Sequence, residues 1–319
     1  MPQRARLPII LSFAAIYLIW GSTFLGIFYA IQTIPPFLMA GTRFLCAGII
    51  MYIIARLRGD PHPEGHTWRD AFIVGGCLLL FGNGAVTIAE KWVPTGLAAL
   101  LVATEPIDVA LLSWMTGIAP RPTPLVWVGL VVGFCGVGLL VSPAFAHGAS
   151  GSSSHLAFGI VSLLIGSFVW AAGSLYALKA KHPASFIMSA GQQMLCGGLL
   201  LLLAGLALGQ QHEFHVHRVT WLSLGGWIYL VIIGALLGYT AYFYLLRHCA
   251  PAKVATYAYV NPVVAIILGT VFAGEHLSVP TMIGAGLIIA SVVIVISAQQ
   301  LKAKSPSELA AMPEPAEHT

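Results

Sequence analysis

Apolar residues occur along this chain in stretches of about twenty, and short polar or Pro- and Gly-containing breaks separate them. A stretch of that length crosses roughly 30 Å of hydrocarbon as an α-helix. We therefore expect an all-α integral membrane protein with ten transmembrane helices. The predicted spans are 8–30, 36–57, 70–89, 95–116, 124–142, 156–178, 184–208, 220–245, 252–273 and 280–298.

Composition supports a membrane protein, because 58% of the residues are hydrophobic and only 8% are charged. Soluble globular domains carry about a quarter charged residues. The net charge of +4 does not indicate nucleic-acid binding, since the basic residues lie in short connectors and form no patch. The expected partners are the lipid bilayer and a small organic solute. The apolar run 7–30 is too long for a cleaved signal peptide and is expected to remain as the first helix.

Basic residues predict the orientation of the chain. With the N-terminus in the cytoplasm, twelve Lys and Arg residues of the connectors and tails lie inside, and only Lys91 and Arg218 lie outside. Short cytoplasmic loops are enriched in Lys and Arg, so both termini are expected in the cytoplasm.

The two halves of the chain show a weak internal repeat. A shift of 150 residues places Trp20 on Trp170, and it places Leu45-Cys46-x-Gly48 on Leu195-Cys196-x-Gly198. A shift of 156 to 157 aligns 93–106 with 250–262. An odd number of spans in each half inverts the second half relative to the first, which is the inverted-repeat plan of secondary transporters. The predicted domains are a first repeat at 8–142, a Gly/Ser-rich outer connector at 143–155, a second repeat at 156–298 and a disordered cytoplasmic tail at 299–319.

Several short segments carry a family resemblance. They are Trp20-Gly-Ser-Thr-Phe24, Arg43-Phe-Leu45, Gly82-Asn-Gly84, Pro94-Thr-Gly96, Pro251-Ala252, Tyr257-Ala-Tyr-Val-Asn-Pro262 and Gly274-Glu275. As a set they resemble the drug/metabolite transporter superfamily and, more narrowly, EamA-domain exporters of the YedA type. The resemblance implies two EamA repeats around a central cavity, a bacterial inner membrane, and export of metabolites or amino acids, often in exchange for protons. The chain departs from the pattern before the fifth span, where Ala119-Pro-Arg-Pro122 has no acid equivalent to Glu275.

Three charged residues, Arg43, Glu105 and Asp108, fall within predicted spans. A charge at the centre of a bilayer costs at least ~2.5 kcal/mol, so each needs a partner or a wet cavity. Arg43 and Glu105 lie at similar depths, which differ by about 5 Å at the helical rise. We expect Arg43 to contact Glu105 or Asp108, and both acids are candidate proton carriers. The alternative is an ion pair that only joins helices.

Polar and aromatic residues complete the set of candidates. Asn83, Thr87 and Glu90 share one face of the third span, although an interfacial position is favoured for Glu90. Pro106 and Pro262 occupy matching places and either expose backbone carbonyls or only kink their helices. The candidate cavity residues are Trp20, Ser22, Thr23, Arg43, Asn83, Thr87, Glu105, Asp108, Trp170, Ser174, Tyr239, Tyr242, Tyr257 and Asn261. Helix packing remains the alternative role for the polar and aromatic members.

The expected function is secondary active transport by alternating access, with export of small metabolites, amino acids or drug-like compounds and a role for protons left open. A channel or facilitator is the alternative. A membrane-embedded enzyme is less favoured, because the chain has no His-Glu-x-x-His helix, no Gly-x-Ser-x-Gly elbow and no phosphate loop. No cofactor and no metal are expected. A homodimer is left open.

Overall fold

The computed structural model describes residues 3–119, 121–146, 151–183, 185–249, 254, 257–275 and 278–302. Within these ranges the chain forms helices and turns, and no strand. The helices are α1 (Gln3–Ala30), α2 (Pro36–Leu57), α3 (Gly65–Ala89), α4 (Thr95–Val102), α5 (Glu105–Met115), α6 (Pro124–Ala146), α7 (Gly151–Ala177), α8 (Phe186–Ala207), α9 (221–248), α10 (Tyr257–Phe272) and α11 (Val279–Lys302).

Eight helical segments are long and apolar enough to cross a membrane. Helices α6 and α10 contribute two further apolar segments, Pro124–Leu139 and Val260–Phe272, in the described part of the chain. The prediction of an all-helical membrane protein is therefore confirmed. The count of ten transmembrane crossings stays a prediction.

Several boundaries differ from the predicted ones. α3 begins at Gly65 rather than at residue 70, because its polar first turns are held by other elements: Asp70 accepts hydrogen bonds from the Tyr176 hydroxyl (3.0 Å) and the Lys181 amide (2.7 Å). Helices α6 and α7 extend into the predicted connector 143–155 from both sides, α6 as far as Ala146 and α7 from Gly151. Helix α11 runs three residues past 299, and residues 303–319 of the predicted tail lie outside the described residues.

The predicted span 95–116 is interrupted, so that α4 and α5 are separate helices joined by Ala103 and Thr104. Pro106 stands in the first turn of α5, where a missing N–H is tolerated. By contrast, Pro262 lies inside the continuous helix α10. The two prolines thus act differently despite their matching places in the sequence.

Two helices contain a π-helical segment, at Gly76–Asn83 in α3 and at Leu230–Leu237 in α9. A π segment adds a residue to each turn and shifts the side chains that follow. Both segments contribute residues to the central cavity described below, among them Asn83 and Gly234.

Helices α2 and α8 pack closely through glycines. A Cβ atom on Gly41 would lie 2.7 Å from the amide nitrogen of Leu202, and one on Gly48 would lie 2.9 Å from that of Leu195. Since the residue numbers rise in one helix as they fall in the other, the two helices run antiparallel. Small residues allow this approach in membrane proteins.

Helices α6 and α11 form a second close antiparallel pair. Gly129 faces Val295, Gly136 faces Ile288, and the Ser291 hydroxyl donates a 2.5 Å hydrogen bond to the Gly129 carbonyl. Elsewhere α1 packs against α9 and α10, while α7 packs against α3, α4 and α5. These contacts leave a space in the middle of the bundle.

Candidate functional site

A cavity of about 140 Å³ occupies the centre of the bundle. That volume is close to the roughly 150 Å³ of an engineered cavity that binds benzene. Both halves of the chain line it, with Trp20, Thr23, Phe24, Ile27, Arg43, Phe44, Gly82, Asn83, Val86, Val102, Glu105, Leu163, Gly166, Ser167, Trp170, Leu230, Gly234, Ala235, Tyr239, Tyr257 and Asn261. The wall is mainly apolar, with a few polar groups that converge on the space, as in small-molecule sites generally.

Nine of the fourteen predicted cavity residues line this space: Trp20, Thr23, Arg43, Asn83, Glu105, Trp170, Tyr239, Tyr257 and Asn261. The other five, Ser22, Thr87, Asp108, Ser174 and Tyr242, lie outside the lining. Two of them are engaged elsewhere, because the Ser22 hydroxyl bonds to the Tyr229 hydroxyl (2.6 Å) and that of Thr87 donates to the Asn83 carbonyl (2.8 Å). Tyr242 stands behind Trp20, with ring centroids 5.1 Å apart.

Arg43 is the cation of the cavity, and only 4% of it is exposed. Its Nη2 donates a 2.7 Å hydrogen bond to Asn83 Oδ1, and its guanidinium carbon lies 4.4 Å from the centroid of the Phe44 ring. Nε has no hydrogen-bond partner among the described residues. Arg43 therefore keeps a free donor although it is almost fully buried.

The predicted ion pair between Arg43 and Glu105 or Asp108 is wrong. The ion pairs within the described residues join Glu64 to His66 and Arg69 to Asp70. Arg43 instead donates to the side chain of Asn83 in α3.

An interfacial depth in the bilayer stays a prediction for Glu90, which follows the last residue of α3 at the turn 90–94 and is buried. It is 5% exposed, and neither carboxylate oxygen has a hydrogen-bond partner in the described part of the chain. The sequence contained one signal for this position, namely the shared helix face with Asn83.

Aromatic rings form one wall of the cavity. The indole of Trp20 meets Tyr257 edge-on at a centroid distance of 5.0 Å and Tyr239 at 5.7 Å. The Asn261 amide, in the orientation that satisfies its hydrogen bonds, donates to the carbonyls of Tyr17 (3.1 Å) and Tyr257 (3.3 Å). Edge-to-face aromatic contacts stabilise one another beyond the area they bury, so this wall is a rigid platform.

Glu105 is the acid of the cavity and opens helix α5. Trp170 lines the same space, whereas Asp108, one turn later in α5, lies outside the lining. The residue Ser167 is 4% exposed, lines the cavity and was not predicted, since an isolated serine in an apolar span gives no pattern. Glu105 thus presents a carboxyl group that Arg43 does not neutralise.

The Glu275 carboxylate caps helix α4. It accepts hydrogen bonds from the amides of Thr95 (2.5 Å) and Gly96 (3.1 Å), so a residue after α10 closes the N-terminus of a helix in the other half. Negative charge is favoured at a helix N-terminus by the helix dipole and the free N–H groups. This cap lies at the distal end of the bundle, which we define by the turns 31–35, 90–94 and 273–275.

Three further hydrogen bonds tie helices together at the distal end. Gln210 Oε1 accepts from the Phe37 amide (3.0 Å) at the start of α2, and Trp227 Nε1 donates to Thr42 Oγ1 (3.1 Å). The Tyr29 hydroxyl donates to the Phe272 carbonyl (2.8 Å). These contacts hold the two halves of the chain together at the distal end.

Comparison with known proteins agrees with this architecture. A model of the EamA-like transporter family matches residues 7–142 and again residues 157–297. The chain belongs to the EamA-like transporter family. The resemblance inferred from the sequence segments is thereby confirmed, and the protein is a membrane transporter.

Individual relatives carry similar descriptions. The chain is 37% identical over 307 residues to the "uncharacterized inner membrane transporter YedA" of Escherichia coli K12, a match that covers 96% of each chain. It is 29% identical to protein PecM of Dickeya dadantii, over 87% of this chain and 88% of PecM. A solved crystal structure with 19% sequence identity superposes with a TM-score of 0.61, covering 92% of this chain and 98% of the other, which shows a shared fold.

Proposed function

We propose that this EamA-family protein is a secondary transporter that moves a small amphipathic organic solute through the central cavity by alternating access. The observation that carries the proposal is the cavity itself, in which a cation and an acid face one apolar space without neutralising each other. A charged group in a membrane interior is costly, so its retention there favours a role in binding.

The chemistry of the cavity suits a solute with a carboxylate, an amine and an apolar body. Arg43 has a free Nε donor, and a guanidinium is suited to a carboxylate. Glu105 offers a carboxyl group for an ammonium, and Trp20 provides an aromatic surface. Apolar amino acids and related metabolites have this character, and the volume of about 140 Å³ fits a small one.

An inverted repeat is the proposed basis of alternating access. Its support is a set of reciprocal contacts, because Gly48 approaches Leu195 while Gly198 approaches Leu45, and each residue of one pair is offset by 150 from its counterpart in the other. The π segments of α3 and α9 also occupy matching places in the two halves. In such transporters one repeat rocks against the other around a fixed central site.

We further propose that the protein resides in a bacterial inner membrane, with the distal end outside, and that it works as an exporter. The description of the E. coli relative supports the location, and the predicted excess of basic residues at the opposite end supports the orientation. In the orientation proposed here, the hydrogen bonds of the distal end close the cavity from outside. Export then requires those bonds to break.

Reconstituted vesicles test the proposal. Vesicles loaded with an unlabelled amino acid should accumulate the labelled form by counterflow, and the rate should saturate with concentration. A panel of apolar, polar, acidic and basic amino acids, together with their amide and decarboxylated analogues, will identify which charged group is required. Arg43→Gln is expected to abolish counterflow, whereas Glu64→Gln, at an exposed position near the opposite end, should retain it. Conductance that does not saturate would instead identify a channel.

A further inference from the structure

Both tryptophans of the cavity lining lie against a glycine from the other half of the chain. Trp170 of α7 lies against Gly82 of α3, and Trp20 of α1 lies against Gly238 of α9. A Cβ atom on Gly82 would overlap Cε3 of the Trp170 indole and would lie 3.4 Å from its Cδ2 and Cζ3 atoms. One on Gly238 would lie 2.6 Å from Trp20 Nε1 and 3.1 Å from its Cδ1. Carbon atoms pack at about 3.5–4.0 Å, so each indole keeps its observed position only because the facing residue has no side chain.

The two contacts correspond to each other in the proposed repeat. The tryptophans are 150 positions apart and the glycines 156, which are the offsets that relate the two halves of the sequence. Each glycine also lies at the C-terminal end of a π segment, because Gly82 is the next-to-last residue of Gly76–Asn83 and Gly238 directly follows Leu230–Leu237. Such segments are frequent at functional sites. A glycine, an indole and a π segment therefore meet twice, once from each half.

Both glycines affect the space available in the cavity. Gly82 belongs to the lining, so a methyl group there would fill part of the space as well as displace the Trp170 ring. Gly238 lies outside the lining, so its methyl group would act through Trp20, whose ring lines the space. Because the cavity measures only about 140 Å³, the displacement of either ring changes which solutes fit.

The two indoles are held differently. Trp20 contacts the rings of Tyr239, Tyr242 and Tyr257, with centroids 5.0 to 5.7 Å apart. By contrast, no ring pair within the described residues includes Trp170. We therefore expect a methyl group on Gly82 to shift an indole that can move, whereas one on Gly238 presses Trp20 against the tyrosines and costs more stability.

We propose that Gly82 and Gly238 are specificity-determining residues, which set an upper limit on the apolar body of the solute through the positions of Trp170 and Trp20. The inference rests on the proposed solute cavity and adds the residues that select solutes by size. One methylene in a hydrophobic pocket changes discrimination by about 10–200-fold. A methyl group at either glycine should therefore reject, by a factor of that order, the largest solute that the wild type accepts.

The first experiment measures the size limit without any solute. Ser167→Cys places a thiol in the cavity lining, in full-length protein whose five cysteines have been replaced by alanine and which is held in lipid nanodiscs. Alkyl methanethiosulfonates from methyl to hexyl are the probes, and the labelling rate is measured for each chain length. We expect the rate for the longest reagent that labels the parent to fall about 10–200-fold in Gly82→Ala and in Gly238→Ala, while the methyl reagent reacts at an unchanged rate.

Alanine substitutions at two other glycines of the same helices are the matched controls. Gly76→Ala lies in the same π segment as Gly82, and its added Cβ meets Leu200 Cδ1 at an ordinary 3.4 Å. Gly225→Ala lies in α9, where nothing is within 4 Å of the added Cβ. Both should keep the size limit of the parent. An unchanged limit in Gly82→Ala and Gly238→Ala, or an equal shift in the controls, would overturn the assignment.

Paired substitutions separate this role from a general loss of stability. Trp170→Phe removes the ring atom that a Cβ on Gly82 would overlap, so in that background Gly82→Ala should leave the size limit unchanged. In a Trp20→Phe background Gly82→Ala should still shift the limit, and Gly238→Ala should show the opposite dependence. Full additivity in both backgrounds would show that the two contacts do not carry the shift. If an alanine variant does not fold by itself, recovery of folded protein in its matched double, but not in the crossed one, tests the same contact.

A counterflow assay distinguishes failure of this inference from failure of the proposed function. Unlabelled 2-aminobutyrate, norvaline and norleucine, which differ by one methylene each, compete with labelled alanine in reconstituted vesicles. Competition by the longer homologues should weaken in Gly82→Ala in step with the thiol-labelling limit. A shifted labelling limit without any alanine counterflow would leave the size limit in place and overturn only the amino-acid class of the solute. Counterflow with the same chain-length preference in Gly82→Ala and the wild type would overturn the selection by size.

Discussion

At the scale of single residues, the position of the Arg43 side chain depends on Asn83. The 2.7 Å bond from Nη2 to Oδ1 is the hydrogen bond that orients the guanidinium toward α3. Hydrogen bonds to charged groups contribute about 1.5–3 kcal/mol, more than bonds between neutral groups. Loss of the acceptor would also release the guanidinium into the cavity, where it would alter solute binding.

We predict that Asn83→Ala lowers the free energy of unfolding by about 1.5–3 kcal/mol, because a buried charged donor loses its acceptor. Asn83→Asp keeps an acceptor at that place and should retain or exceed wild-type stability, while weakening the binding of a solute carboxylate through competition for Arg43. Chemical denaturation in detergent micelles measures the stabilities. Equal stability of Asn83→Ala and the wild type would show that the bond does not hold Arg43.

Most residues that line the cavity could be predicted from their types, whereas the contacts between their side chains could not. Charged and aromatic side chains are rare enough in apolar spans that Arg43, Glu105 and Trp20 were identified individually. Pairing depends on the rotation of each helix, and the π segment before Asn83 changes that rotation in α3. Glu90, near the end of its span, is buried by neighbouring helices whose positions the sequence does not give.

At the scale of helices, the cap that Glu275 forms on α4 links the two halves of the chain. Its carboxylate accepts from the amides of Thr95 and Gly96, at the positive end of the helix dipole. We predict that Glu275→Gln destabilises the protein by about 1–2 kcal/mol, since the charge is lost but one acceptor remains, and that Glu275→Ala costs more. Denaturation curves of the two variants measure both values; an unchanged midpoint for Glu275→Ala would refute a structural role for the cap.

Gly269 gives an independent test of the same cap. A Cβ atom there would lie 2.5 Å from Glu275 Oε2 and 2.6 Å from Thr95 Oγ1, so Gly269→Ala must displace the carboxylate. Gly286→Ala is the matched control, because no atom lies within 4 Å of its added Cβ. We expect the first variant to lose about 1–3 kcal/mol of stability and the second to stay near the wild type. In the Glu275→Ala background the cost of Gly269→Ala should shrink, and full additivity would contradict the proposed contact.

The helices themselves were predicted well where hydrophobic length decides, as for α2, whose bounds match the predicted 36–57. Interruptions within a span are harder to predict from the sequence than its ends. Pro106 and Pro262 look alike in sequence, yet only the first accompanies a break, because Ala103 and Thr104 leave the helical path just before it. Hydropathy averages over such breaks, and tertiary contacts decide whether a proline interrupts its helix or bends it.

At the scale of the whole molecule, the two antiparallel helix pairs constrain the number of crossings. Helix α2 runs antiparallel to α8, so the chain must cross the membrane an even number of times between them. The intervening segments are α3, the α4–α5 pair, α6 and α7, and the count is even only if α6 crosses. The same reasoning applied to α6 and α11 requires α10 to cross. We therefore expect both α6 and α10, which contain the apolar segments Pro124–Leu139 and Val260–Phe272, to span the membrane.

This expectation gives the last prediction, which concerns sidedness. Ten crossings with a cytoplasmic N-terminus place Ala146, at the end of α6, and Gln211, after α8, on the external side, and they return Lys302 to the cytoplasm. The excess of basic residues at the opposite end favours this orientation over its inverse. Periplasmic reporter fusions after Ala146 and Gln211 should be active, and fusions after Arg58 and Lys302 should be inactive. If α6 does not cross, the reporter fused after Ala146 will be inactive. Helices α2 and α8 would then run parallel, which contradicts the antiparallel packing shown by the contacts of Gly41 with Leu202 and of Gly48 with Leu195. An external signal after Lys302 would likewise exclude ten crossings, and with them the inverted repeat on which alternating access rests.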